Sequence, residues 1–259
     1  MDQVGRYTFR IAACAEEVAE AQALRHRCFP LPDGAAPRPD GREADAFDRL
    51  CQHGLVRDQD SGRLVACFRL LLLNDGAEIG RSYSAQFYDL RRLQIFAGPI
   101  AELGRFCIDP DVKDPDVLRL VWAALTQIVD ERRVGLLFGC ASFSGYSPAP
   151  YRSAFRLLTQ KSLAPLRWRP RQRAKEILGL AREAKAASLD PRLGLMQLPP
   201  LLRSYLAMGG WVSDHAVIDR SLGTLHVFTG LEIARIPPAR KRLLRALASP
   251  GLAVLKAAQ

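Results

Sequence analysis

Ala101-Glu102-Leu103-Gly104-Arg105-Phe106-Cys107-Ile108-Asp109-Pro110 is an apolar strand pattern interrupted by a carboxylate and a guanidinium three residues apart. A buried charge is costly unless it is paired or hydrogen-bonded, so the interruption signals either a structural ion pair or a site. In a regular strand, residues three apart point to opposite faces. A bulge at Gly104 would shift that phase and turn Glu102 and Arg105 towards one cleft.

Working outward, Asp116 to Arg133 carries the strongest helical pattern, with Val117, Val121, Ala124, Leu125 and Ile128 as its apolar stripe. Strand, polar turn and helix N-terminus together make a place where backbone N–H groups can receive a carbonyl or phosphate oxygen. The turn has no Q/R-x-x-G-x-G/A and no Walker sequence, so a coenzyme A pyrophosphate or a nucleotide is poorly provided for. Gly135 to Ser142 then reads as a buried parallel strand. Its end, Cys140-Ala141-Ser142-Phe143-Ser144-Gly145, is not a G-x-S-x-G elbow, which argues against a covalent nucleophile.

Upstream, Tyr7 to Ala13 predicts a strand and Glu16 to Phe29 a helix. The Pro-rich and charged segment from Pro30 to Arg42 predicts a mobile loop. Cys51 to Arg57 and Arg63 to Leu73 predict a hairpin, with Arg69 on the face of Val65, Cys67 and Leu71. Such an arginine wants carboxylates, and Asp45 and Asp48 are the nearest candidates. Ser84 to Leu93 predicts a short helix, Pro148 to Lys161 another, and the chain near Leu166 a strand.

Residues 181–192 read as exposed helix or linker. A proline-started helix follows from Leu198, then extended structure from Trp211 and a final strand over Thr224 to Ile233. No composition break forces two folding units. The division expected is a core over residues 1–180 and a C-terminal extension over 181–259 packed on the same domain.

The 259 residues carry 37 Lys and Arg against 27 Asp and Glu, a formal charge of +10 that favours an acidic partner. No nucleic-acid motif is present. The densest basic run holds Arg167, Arg169, Arg171 and Arg173, suited to an acidic protein or a membrane surface. The tail sets Arg240, Lys241, Arg242 and Arg245 beside Leu243, Leu244 and Leu247 as a short basic amphipathic helix. Six scattered cysteines without C-x-x-C read as reduced core residues of a cytosolic protein. No window approaches the roughly 20 apolar residues that span a bilayer, so a peripheral contact with anionic lipid is the expected limit of membrane association.

Several pieces in this order resemble the ornithine N-acyltransferase family, relatives of acyl-homoserine-lactone synthases among the GNAT-like acyltransferases. They are Leu24-Arg25-His26-Arg27-Cys28-Phe29, Asp45-Ala46-Phe47-Asp48, Cys51-Gln52-His53, Phe68-Arg69-Leu70-Leu71, Tyr83-Ser84-Ala85-Gln86-Phe87-Tyr88 and Glu102-Leu103-Gly104-Arg105-Phe106. Leu137 to Phe143, Leu198-Pro199-Pro200-Leu201-Leu202 through Leu206, and Asp219 extend the match over residues 7 to 233. The family pattern has an acidic residue where this chain has His226.

The resemblance implies an α/β fold with a mixed central sheet flanked by helices, and transfer of a 3-hydroxyacyl group from acyl carrier protein to the α-amino group of ornithine, giving lyso-ornithine lipid. No bound cofactor or metal is implied, the phosphopantetheine arm of the carrier protein being the donor. Thioester aminolysis then assigns Glu102 as base or amine-orienting carboxylate, with Arg105 beside it. Backbone N–H groups near Gly104 would receive the thioester oxygen. Arg69 and Arg105 would hold the acceptor carboxylate or brace the cleft, and Asp45 and Asp48 would attract its cationic end. Arg25 would fix the loop, and Phe106 and Ser142 would complete the binding set. Arg167 to Arg173 with Arg240, Lys241 and Arg242 would dock the carrier protein or membrane. The alternatives are acylation of another amino acid such as glutamine, lactone synthesis, or a non-catalytic carrier-protein or membrane-binding module.

Overall fold

In a computed structural model that describes residues 2–29, 31, 38, 40–185 and 190–248, the chain builds one nine-stranded sheet with helices on both faces. In chain order the elements are β1 (Asp2–Val4), β2 (Tyr7–Ile11), α1 (Ala15–Cys28), β3 (Gln52–Asp58), β4 (Leu64–Leu73), β5 (Tyr88–Asp89) and β6 (Ile100–Ile108). Then come α2 (Pro115–Glu131), β7 (Leu136–Ser144), α3 (Arg152–Lys161), β8 (Arg171–Gln172), β9 (Ile177–Gly179) and α4 (Leu180–Ala184). Finally there are α5 (Pro191–Gln197), α6 (Pro200–Ala207), β10 (Trp211–Asp219), β11 (Thr224–Glu232) and α7 (Pro238–Ala248).

The sheet runs β1-β2-β3-β4-β6-β7-β11-β10-β9, while β5 and β8 pair apart from it. Its neighbours are antiparallel except β6 and β7, the pair joined through α2. Strands β10 and β11 lie in the sheet itself beside β7, so residues 211–232 are part of the central layer.

One sheet face buries Phe68, Leu70, Ala101, Leu103 and Leu137 under the apolar stripe of α2, joined by Tyr205 and Met208 of the α6 region. Further along the same side, α3 and α6 cover Phe143, Val227, Leu225 and Ala216. The opposite face takes α1, through Ala21 and Leu24 on Leu55, Cys67 and Cys107. There the irregular segment 76–93 also packs Ile79, Tyr88, Leu90 and Leu93 on Phe138, Val217 and Phe228.

The expected bulge exists, one residue further on. Cys67 faces Cys107 and Arg69 faces Gly104, so one residue of β4, Phe68, opposes two of β6, Arg105 and Phe106. The left-handed residue there is Arg105, at φ 49°, not Gly104. An arginine tolerates that strain because ion pairs hold its side chain.

The helix expected over Ser84 to Leu93 is instead two 3-10 turns (Ser84–Gln86 and Arg91–Leu93) around the short strand β5. The Tyr83 and Ser84 N–H groups are drawn onto the Glu102 carboxylate and do not enter a helical ladder. The chain near Leu166 is a turn, with Leu166 exposed; Leu163 makes the sheet contact, a bridge to Val212. Most of the Pro30–Arg42 loop, and Leu247 as a side chain, lie outside the described residues.

The tail helix α7 packs along α2. Leu244 joins the main core and Arg245 pairs with Asp130 at 2.9 Å, while Leu243 is 51% exposed. No described helix is long and apolar enough to cross a membrane.

Candidate active site

Strands β6 and β7 pair through Ile100↔Leu136, Ala101↔Leu137 and Glu102↔Phe138, and there the ladder ends. Beyond it β7 continues on β11 to Thr224↔Ser144, and β6 stays on β4 through its bulge. The two strands therefore diverge. A glycine stands at the fork because a Cβ at Gly139 would run into the Leu103 carbonyl.

A cavity of about 410 Å³ occupies the gap. One mouth is apolar, between Leu118 of α2 and Pro199 to Leu202. The other is polar, lined by Tyr83, Glu102, Arg105, Cys140, Ser142, Asp219 and His226. Alternation explains the gathering of polar groups. Glu102 lies across from Phe138, and His226 faces both Ser142 and Val217, so Glu102, Cys140, Ser142, His226 and Asp219 share one sheet face.

Glu102 is buried. Its Oε1 accepts from the Ser84 N–H at 2.8 Å and the Ser84 hydroxyl at 2.5 Å, and its Oε2 from the Tyr83 N–H at 2.8 Å. Burial pushes its carboxyl above the ordinary value, and these donors pull the other way. Cys140 lies beside the Ser84 hydroxyl at 3.4 Å. Burial pushes its thiol well up, the reverse of what a thiolate nucleophile needs.

Arg105 opens a charge network that extends away from the cavity. Its Nε binds Glu43 at 2.9 Å, its Nη2 binds Asp45 at 3.0 Å, and its guanidinium lies 4.7 Å over the Tyr83 ring. Arg69, 2% exposed, binds Asp45 and, at 2.9 Å, Asp48. Arg25, 1% exposed, reaches Asp48 at 2.8 Å, the Glu43 carboxylate at 2.7 Å and the Glu43 carbonyl. Three guanidiniums thus meet three carboxylates. Burial alone would push Asp48 up, but hydrogen bonds from Arg25, Arg69 and Gln22 hold it well below the usual carboxylate range.

Arg69 meets Asp45 and Asp48, the two acids the sequence offered it, whereas Arg25 pairs with Glu43 and Asp48, and the loop it was expected to fix lies mostly outside the described residues. Glu43 was missed; it sits at the edge of the segment read as mobile, and its signal was the acid-x-acid spacing before Asp48. Glu102, Gly104, Arg105, Phe106 and Ser142 line the cavity, whereas Arg25, Asp45, Asp48 and Arg69 stand behind it.

Asp219 and His226 complete the polar wall. Asp219 Oδ1 accepts from the Ser221 N–H and hydroxyl and the Leu222 N–H, at 2.9, 2.6 and 3.1 Å, fixing the turn into β11. The Tyr88 hydroxyl lies 2.9 Å from the His226 carbonyl and 3.1 Å from His226 Nδ1. The carbonyl can only accept, so Tyr88 gives it the phenolic proton and receives Nδ1–H. Nε2 then bears a lone pair, and it is buried without a partner. Burial pushes this imidazole down to about 4, against the opposite pull of Asp219, so it is neutral near pH 7.

None of Arg167, Arg169, Arg171 and Arg173 lines the cavity. Arg167 pairs with Glu232 at 3.0 Å and Arg169 holds the Ala164 carbonyl, while Arg171 and Arg173 are exposed. A second groove shares Leu118 and Pro200 with the apolar mouth and carries Arg119, Arg203 and Arg240. Among the described residues no group of three His, Cys, Asp or Glu side chains could hold a metal ion.

Residues 24–123 match the family of the acetyltransferase (GNAT) domain. The chain is an acyltransferase of GNAT type. The L-ornithine N(alpha)-acyltransferase of Rhodobacter capsulatus is 37% identical to it over 230 residues, covering 85% of this chain and 88% of that protein. The L-ornithine N(alpha)-acyltransferase of Brucella abortus is 30% identical over 247 residues, covering 91% of this chain and 88% of that protein. The chain belongs to the L-ornithine N(alpha)-acyltransferase family. Among solved structures, FeeM, an N-acyl amino acid synthase from uncultured soil microbes, is similar with a TM-score of 0.49 and 11% identity, covering 94% of this chain and 97% of that one.

Proposed function

We propose that the protein transfers a 3-hydroxyacyl group from acyl carrier protein to the α-amino group of L-ornithine, forming lyso-ornithine lipid. The observation that carries this reading is the cavity through the β6–β7 fork, apolar at the helix-side mouth and charged at the other. The phosphopantetheine arm enters past Leu118 and Pro200, and the amino acid enters past Tyr83 and Asp219. The reacting centre lies between them, beside Glu102.

The neutral α-amine attacks the thioester carbonyl carbon; a C–N bond forms and the carbonyl π pair moves onto oxygen. Collapse expels the pantetheine sulfur, which leaves with a proton. Glu102 orients the amine and takes its proton, directly or through a water, and its upward-shifted carboxyl suits that role. The bulge at Arg105 and Phe106 leaves β6 backbone groups outside the ladder, where an N–H can meet the oxyanion. Arg105, on the cavity wall, holds the acceptor carboxylate.

For the donor, Arg119, Arg203 and Arg240 surround the groove beside the apolar mouth and suit an acidic carrier protein. The exposed Arg171 and Arg173 form a separate basic surface.

Mass spectrometry of products from purified protein, 3-hydroxyacyl carrier protein and a mixture of amino acids tests the reading. N-acylornithine should dominate. A product on glutamine, or none on ornithine, overturns it.

A further inference from the structure

The acids expected from sequence to draw the acceptor's cationic end, Asp45 and Asp48, are already neutralised by Arg25, Arg69 and Arg105. One buried carboxylate on the cavity wall differs. Asp219 is 3% exposed, and among the described residues no Lys, Arg or His lies within ion-pair distance of it. Its Oδ1 is saturated by the turn, whereas the neighbour of its Oδ2 is the Tyr83 hydroxyl at a long 3.3 Å. The turn therefore needs one oxygen, and among the described residues no cation stands at the other. A buried carboxylate held by hydrogen bonds but by no cation is a ready partner for the cation of a ligand.

An acceptor without a donor stands next to it. His226 and Asp219 are diagonal neighbours on the same face of the β10–β11 hairpin, because His226 pairs with Val217, two residues before Asp219. The ring borders the cavity, Tyr88 holds its Nδ1 from behind, and the lone pair of its buried Nε2 has no donor. Ser142, the register partner of His226 on β7, adds a hydroxyl to the same wall.

We infer that Asp219 and His226 form the subsite for the side-chain ammonium of the acceptor amino acid, with Asp219 Oδ2 supplying the countercharge and His226 Nε2 a second acceptor. An ammonium has three N–H donors and no acceptor, and this wall offers acceptors: a carboxylate oxygen, an imidazole lone pair and the Ser142 hydroxyl. Kept neutral by burial, His226 adds no opposing charge. Arg105 lies on the same cavity with its Nε and Nη2 held by Glu43 and Asp45, so an amino acid lying between these ends presents its carboxylate to one and its side-chain cation to the other. The inference rests on the reading that the acceptor is a cationic amino acid.

Equilibrium binding of L-ornithine and L-norvaline, which share a three-carbon side chain but differ in the terminal ammonium, tests the subsite without turnover. The intact protein should bind ornithine at least about 30-fold more tightly, the low end for a buried charge pair broken by removing one partner. Asp219→Asn keeps an oxygen for Ser221 and Leu222 and should keep the fold. It should bring the ornithine-to-norvaline ratio close to one. His226→Phe, which keeps a ring but no lone pair, should lower the ratio about tenfold. A ratio near one in the unmodified protein, or one that Asp219→Asn leaves within threefold, overturns the inference. If ornithine binds selectively through Asp219 but is never acylated, the subsite stands and the proposed reaction falls.

Discussion

Two buried polar clusters flank the polar side of this cavity, and they are built on opposite terms. The one under α1 is closed: Arg25, Arg69 and Arg105 against Glu43, Asp45 and Asp48. The one on β10 and β11 is open: among the described residues its carboxylate oxygen faces no cation and has one long hydrogen bond from Tyr83, and its imidazole nitrogen has no donor. Ion pairs are often taken as the mark of a site, yet here the fully paired cluster is the scaffold. It ties α1, the chain before β3, β4 and the β6 bulge into one unit. The cluster without a cation is the one with capacity for a ligand's cation, and of the closed cluster Arg105 alone lines the cavity.

Breaking the closed cluster should give the largest effect. Arg25→Ala would leave three interior carboxylates to two guanidiniums, a change that costs about 3–5 kcal/mol and lowers Tm by roughly 10 °C in a chain of this size. Calorimetry checks it. The same cluster sets an acid limit. Asp48 is held below its ordinary value, so its contribution is fully present above the unfolded carboxyl pKa, near pH 4, and is lost as pH falls further. Chemical unfolding between pH 6 and pH 2 should show stability falling below about pH 4, with a shallower slope in Asp48→Asn.

Much of this architecture was legible in the sequence because it rests on alternation and pairing rules. Glu102 and Arg105 inside an apolar strand announced a phase change, and Arg69 among Val65, Cys67 and Leu71 announced carboxylates. The position of the bulge was not legible. Glycine is the residue that most easily takes φ > 0, and nothing local reveals that Glu43 and Asp45 would hold Arg105 there instead. The Ser84–Leu93 helix failed for a related reason: a tertiary partner, Glu102, takes the N–H groups a helix would have used. Asp219 stands out in the sequence only as a residue of the family resemblance; that its Oδ1 serves the turn while no cation stands at its Oδ2 depends on its surroundings in space.

Glu102→Gln sharpens the comparison at the boundary between the clusters. The carboxylate accepts three protein donors, so the amide must turn an NH2 towards one of them, and some loss of Tm is expected. Activity per folded molecule should still fall by about 10²-fold, the low end for removing a general base. Single-turnover rates on protein of verified folding decide it. Near-normal turnover would leave Glu102 as a brace for the Tyr83–Ser84 turn.

A smaller effect should separate the two basic surfaces. Arg203→Glu with Arg240→Glu should lower kcat/KM for the carrier-protein thioester about tenfold and flatten its salt dependence, whereas Arg171→Glu with Arg173→Glu should change it less than threefold. The reverse order would move donor docking to the 167–175 run.

The smallest effect concerns α7, where two adjacent leucines face different surroundings. Leu244 packs on the main core and Lys241 reaches the Ala234 carbonyl, so this side of the helix is already occupied. Arg240, Arg242 and Leu243 are exposed, the side left for an anionic surface. Each basic residue near such a surface contributes about 1 kcal/mol, so these groups support weak, salt-sensitive binding. Leu243→Ala with Arg242→Ala should reduce co-sedimentation with anionic vesicles at low salt about tenfold while leaving Tm within 1–2 °C of the parent. Leu244→Ala should do the opposite, lowering stability by about 1–2 kcal/mol without changing vesicle binding of the folded protein. If Leu243→Ala with Arg242→Ala binds vesicles as the parent does, α7 is a clamp on α2 and its exposed charges are merely solvated.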